Sequence, residues 1–124
     1  IIYSPEFTKN KPEVAKKWMV AYVRGIRDYQ EAIKSGHPSP DMLSALGSAI
    51  PIFKDPAALA NVVFPGFDPD GYLYLPTLAD SIDWYAARGL LQKKPKLSEL
   101  VDYQYLDYAL SRLGRKGPVQ TVPR

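Results

Sequence analysis

Ala15, Trp18, Met19, Tyr22, Ile26, Tyr29 and Ile33 recur at steps of three and four. They therefore share one side of an α-helix and give the chain a long apolar face that has to be covered. Lys16, Lys17, Arg24, Asp28 and Glu31 occupy the other side, as on a solvated surface. Asn10 followed by Glu13 reads as a capping box, Pro12 fits a first helical turn, and Gly36 is a natural stop. The span holds about six turns. The fold is thus built around one long helix, and 124 residues with 46% hydrophobic and 23% charged side chains suffice for one globular domain.

Shorter elements surround it. Ile1, Ile2 and Tyr3 read as the end of a strand, because β-branched and aromatic residues run into Ser4-Pro5, which breaks the pattern. No second strand follows, so this stub would pair outside the chain. Ser39-Pro40 predicts a helix over 41–49 stopped by Pro51, and Asp55-Pro56 predicts a brief one through Asn61. Residues 64–74 read as a loop centred on Asp68-Pro69-Asp70-Gly71, which suits a type I turn. A helix starting near Pro76 carries the stripe Leu78, Ile82, Tyr85 and Ala86, with Gly89 as its stop and Leu90-Leu91 folding back on its last turn. After a Lys-rich connection at 93–96, Asp102 caps a final helix with Leu106, Ala109, Leu110 and Leu113 on one face. Residues 1–114 form the helical segment and 115–124, with Gly, two Pro and no periodicity, a flexible tail. The expected class is mainly α with one N-terminal strand stub.

Composition narrows the chemistry. Sixteen basic against 13 acidic residues leave a net charge of +3, too small and diffuse for a nucleic-acid partner. With no cysteine there is no disulfide, thiolate nucleophile or cysteine zinc site, and the single histidine removes most imidazole-based constellations. Most enzyme classes are thereby disfavoured, and no cofactor or metal is expected. The longest apolar run, residues 18–23, falls short of the roughly 20 residues that a membrane span needs. The opening Ile1-Ile2-Tyr3-Ser4 has no initiator Met and no signal-peptide pattern, which reads as a processed or excised piece.

Few residues compete for a chemical role. Asp68 and Asp70 before Gly71 suggest a calcium loop, yet Tyr72 and Ala79 stand where ligands belong, so a plain turn is the stronger reading. His37 has no neighbouring ligand and reads as a solvated loop residue. Asp80 and Asp83 lie three apart on a helix and could form an acid–base pair, although solvent-facing positions explain them as well. Ser81 and Ser111 have no histidine partner. Arg24 and Arg27 could recognise oxyanions, but Asp28 and Glu31 stand four residues on and offer ordinary surface pairs. A close packing neighbour would justify Gly25 inside a helix. The nine tyrosines and two tryptophans suit a partly wet pocket, but Tyr22, Tyr29 and Tyr85 fall on helix stripes, while Tyr103, Tyr105 and Tyr108 could cover an interface.

The order of segments then carries a family likeness. Tyr3-Ser4-Pro5-Glu6-Phe7, Asn10-Lys11-Pro12-Glu13-Val14-Ala15-Lys16-Lys17-Trp18-Met19 and Ala21-Tyr22-Val23-Arg24-Gly25-Ile26-Arg27-Asp28-Tyr29 resemble the C-terminal part of solute-binding proteins of the nitrate/sulfonate/taurine family, whose relatives include thiamine-precursor binders. Asp68-Pro69-Asp70-Gly71, Leu75-Pro76-Thr77-Leu78, Trp84-Tyr85, Val101-Asp102 and Tyr108-Ala109-Leu110 look like that family's closing segments. The resemblance implies the last, helical part of a two-lobed α/β periplasmic-binding-protein fold of type 2. It further implies a non-catalytic, periplasmic or lipid-anchored extracytoplasmic component that hands a small solute to an ABC permease. On that reading Tyr3 and Ser4, where a strand would end at a cleft, are the candidate solute contacts. The alternative is a free-standing helical interaction module whose apolar stripe binds a protein groove, and a carboxylate hydrolase is a third possibility. An isolated chain with so long an apolar face is expected to self-associate.

Overall fold

The long periodic segment forms helix α2, Pro12–Ala32. Ala15, Val23 and Ile26 are buried on its inner side and Met19, Val20 and Tyr22 are half-buried beside them. In a computed structural model of the chain, residues 1–34, 38–55 and 62–123 are described. His37, the stop at Gly36 and the brief helix expected after Asp55-Pro56 lie outside the described residues.

Helix α1, Pro5–Asn10, precedes α2 and stands where the sequence reading places only a break. Ser4 is its N-cap, with Oγ accepting the Phe7 N–H at 3.1 Å, and Pro5 opens its first turn. The Asn10 capping box is therefore not formed. Asn10 closes α1, Lys11 is the joint between the helices, and Glu13 takes the Lys16 ammonium at 2.7 Å instead. The strand stub at residues 1–3 is likewise absent, since no strand exists among the described residues. A three-residue strand has no ladder to join here, and Tyr3 turns inward instead. Its hydroxyl donates to the Ala15 carbonyl at 3.0 Å, and its ring meets Phe7, Trp18 and Tyr105.

Helix α3, Pro40–Ala49, is capped by Ser39, whose Oγ accepts the Met42 N–H, and is followed by a 3-10 turn, Pro51–Lys54, on which it packs. Helix α4, Leu75–Ala87, buries only Ile82. It ends in a Schellman motif, with Gly89 at φ 66° donating to Ala86 O and Leu90 donating to Tyr85 O. A single turn, α5, Leu97–Leu100, follows the Lys-rich connection. It is fixed by the Glu99 carboxylate, which accepts the Lys96 N–H at 2.9 Å.

Helix α6, Gln104–Leu113, is the partner that covers α2. Asp102 stands just before it and accepts the Gln104 N–H at 2.8 Å, and Gly114 follows it at φ 73°. Tyr105, Leu106, Ala109 and Leu110 are its buried residues. The centre of the molecule is the cluster of Val23, Tyr72, Leu106, Ala109 and Leu110. No helix of the described residues is long and apolar enough to cross a membrane. The chain is mainly helical.

Candidate functional site

Two arrangements of side chains lie beside the α2–α6 pair. One is a groove of about 420 Å³ formed where residues 1–3 lie against α2 and the approach to α6. Tyr3, Tyr22, Tyr103 and Tyr105 line it, together with Met19 and Leu106. Tyr103 is set by an edge-to-face contact with Tyr72, ring centres 5.1 Å apart. The hydroxyls of both are buried. Burial pushes the Tyr103 hydroxyl above its ordinary pKa, and burial, with a smaller push from Tyr105, does the same to Tyr3. The groove thus offers aromatic faces and phenol hydroxyls, with the carboxylates of Glu99 and Asp102 at its edge and no basic side chain among the described residues of its lining.

Tyr3 and Ser4 are divided by this geometry. Tyr3 is a wall of the groove, with its hydroxyl already donating to Ala15. Ser4 holds the start of α1, its Oγ occupied by Phe7 N–H, and it is not among the residues that line the groove.

The second arrangement is a clasp around Asp70, which is 1% exposed. Asp68 shapes it from below. Its carboxylate accepts the N–H groups of Asp70 and Tyr72, and its carbonyl accepts Gly71 N–H at 2.9 Å, which closes the expected turn. Gly71 at φ 81° brings the backbone against Leu106, Val23 and Ile26, and a Cβ there would stand 3.3 Å from the Leu106 methyl. The Asp70 carboxylate then accepts from Arg27 Nη2 at 2.7 Å and from the backbone N–H groups of Lys116 and Gly117 at 2.9 Å. Arg27 is itself held by the carbonyls of Pro69, Leu113 and Gly114. Burial would raise the Asp70 pKa. The two backbone donors and the guanidinium outweigh it and hold the carboxyl below its ordinary value.

Two sequence expectations, the Arg27 pairing and the tail, are corrected by this clasp. Arg27 pairs with Asp70 rather than with Glu31, which instead meets Lys34. Residues 116 and 117, assigned to the flexible tail, are tied to the core by their backbone. The Asp68 and Asp70 carboxylates receive N–H donors, which is the opposite of a calcium loop, and among the described residues no group of three acidic or imidazole side chains could hold a metal. Asp80 and Asp83 are exposed on α4, and Asp83 takes the Lys94 ammonium. Tyr29 anchors the loop ahead of the turn, donating to Pro65 O at 2.8 Å and meeting Phe67 edge-on. Among the described residues Gly25 has no neighbour within 4 Å of where a Cβ would stand, so no packing contact there explains it. Nothing in the sequence distinguishes Tyr103 as a groove residue beyond its place in the Tyr103, Tyr105, Tyr108 run.

No family model, curated protein or solved structure matches the chain.

Proposed function

We propose that this chain is the C-terminal helical part of a periplasmic or lipid-anchored substrate-binding component of an ABC uptake transporter for a small solute of the nitrate, sulfonate or taurine kind. The observation that carries the reading is the tyrosine-lined groove at the start of the chain, since its volume lies within the roughly 300–1,000 Å³ of small-molecule sites and Tyr3, at the head of the resembling run, forms part of its wall. With no basic side chain among the described residues of the lining, the hydroxyls of Tyr22 and Tyr105 and backbone N–H groups are the donors this wall would offer an oxyanion. Such a component works without chemistry. Solute favours a closed arrangement by the extra contacts made there, and the α2–α6 pair supplies the rigid body against which closure occurs.

A second reading, the free-standing helical interaction module, draws on the exposed Trp18, Trp84, Tyr85 and Leu90. One experiment separates the two. In cells carrying the natural gene, transport predicts a protein outside the cytoplasm, released by osmotic shock or held on the outer face of the membrane by a lipid anchor, and loss of uptake of one labelled solute when the gene is deleted. Retention in the cytoplasm, or unchanged uptake across nitrate, taurine, alkanesulfonates and thiamine precursors, overturns the transport reading.

A further inference from the structure

The last turn of α4 carries aromatic side chains that stay in contact with water. Tyr85 belongs to the expected apolar stripe of that helix, yet Tyr85 and its neighbour Trp84 are each 49% exposed, and Ile82 is the residue that α4 buries. The two rings meet edge-on with centres 5.0 Å apart, and the Arg88 guanidinium lies 3.7 Å from the centre of the Trp84 ring. The Schellman turn then brings Leu90, also exposed, back beside Tyr85. These four residues line neither the tyrosine groove nor the hollow between α4 and α5. They form a projecting face rather than a pocket, and clustered exposure of this kind marks a contact surface.

Charge decides what the face suits. Residues 84–98 hold Arg88, Lys93, Lys94 and Lys96 and no acidic residue, so this stretch alone carries more positive charge than the +3 of the whole chain. Lys94 reaches back to Asp83, which keeps the lysine connection at the same end of α4 as the aromatic rings. That pair and the Lys93–Glu99 pair are exposed in both partners. Such surface pairs are worth little, so both ammonium groups can turn to another anion. A protein groove would use the aromatic and leucine side chains alone. Trp and Tyr half out of water, a leucine beside them and a cluster of basic residues are together what the headgroup layer of an anionic bilayer takes up.

We propose that this end of α4 rests on an anionic phospholipid surface, with Trp84, Tyr85 and Leu90 entering the headgroup layer and Arg88, Lys93, Lys94 and Lys96 meeting phosphates. No residue of this face lines the tyrosine groove, so the assignment stands apart from the solute reading. Its test is flotation of the full-length protein with vesicles of phosphatidylglycerol and phosphatidylcholine, compared with phosphatidylcholine alone. The expected result is retention on the anionic vesicles that weakens as salt rises. A basic residue near such a surface is worth about fivefold in partitioning, so Lys93→Gln/Lys94→Gln/Lys96→Gln should lose at least about tenfold. Trp84→Ser/Tyr85→Ser, at unchanged charge, should lose at least about fivefold. A matched charge change on exposed residues elsewhere, Lys9→Gln/Lys17→Gln/Arg24→Gln, should stay within about twofold. All the substituted side chains are exposed, and circular dichroism shows that each variant keeps its helices. No retention on anionic vesicles overturns the proposal, as does a control that loses as much as the lysine variant, or a folded lysine variant that binds like the native protein. Retention kept in full by the aromatic variant marks the face as a site for a plain acidic partner such as a protein, and overturns the lipid assignment as well.

Discussion

The α2–α6 pair and the α3–α4 part of the chain are both built from amphipathic helices, yet they are held in different ways. Along α2 and α6 the apolar faces meet each other, with Val23, Ala109 and Leu110 fully enclosed, and the Asp70 clasp ties the turn at 68–71 and the start of the tail to both. Helix α3 packs on the 3-10 turn that follows it and buries only Gly47, and α4 packs on the single turn α5 and buries only Ile82. Helix formation in short segments draws most of its stability from tertiary burial rather than propensity. The difference therefore predicts two tiers of stability, with local opening of α3 and α4 well below the cost of separating α2 from α6.

The sharpest way to break that comparison is to open the clasp. Asp70→Ala takes the counter-charge from the Arg27 guanidinium, which keeps only its carbonyl partners, and the acceptor from two backbone N–H groups, and losing one partner of a buried pair costs about 3–5 kcal/mol. Urea unfolding should show that loss, and hydrogen exchange at Lys116 and Gly117 should accelerate more than at any residue of α3. Protonation tests the same group without mutation. Because the folded-state pKa of Asp70 lies below its unfolded value, its contribution is complete above about pH 4 and is lost as pH falls through the folded value. Stability followed by chemical denaturation from neutral to about pH 2 should fall in that window in the native chain, and fall less in Asp70→Ala.

Leu110→Ala probes the apolar half of the same region. Its side chain is enclosed within the central cluster, and truncations of this kind cost about 2–5 kcal/mol according to how far the site collapses. The matched substitution in the other region, Leu46→Ala on α3, removes a half-buried side chain and should cost less than about 1 kcal/mol in global unfolding. Equal losses in the two variants would mean that α3 is as firmly docked as α6, and the two-tier description would fail.

Legibility from sequence follows the same division. The faces of α2 and α6 are readable because period and burial coincide, so that Ala15, Ile26, Leu106, Ala109 and Leu110 stand on the expected stripes and are buried. Val23 is hidden behind its neighbour Tyr22, since both fit a step of three or four and only packing decides between them. Ser4-Pro5 holds a readable cap and first-turn proline, but the apolar residues ahead of it mimic a strand end. The Arg27–Asp70 pair spans 43 residues and competes with a pairing four residues away that local spacing favours. Backbone donors such as Lys116 N–H carry no side-chain signature at all. Tyr3 lines the candidate groove for a reason the sequence does not carry, since the expected strand end is absent and the residue is placed by its docking on Ala15, Trp18 and Tyr105.

Gly25 gives the smallest and most discriminating effect. It lies along α2 on the exposed side, with none of the described residues within 4 Å of the position a β-methyl would take, so neither packing among them nor positive φ asks for glycine there. Glycine inside a helix costs about 0.5–1 kcal/mol against alanine, largely through the freedom it retains in the unfolded chain. Gly25→Ala should therefore stabilise the chain by that amount, with the gain appearing in α2 exchange and in global unfolding together, because α2 belongs to the upper tier. A gain confined to local fraying of α2 would place the weak point within the helix pair itself. A loss would mean that another surface approaches α2 at Gly25 more closely than a methyl group permits, which would add a second covered face to the molecule, beyond the one that buries Val23 and Ile26.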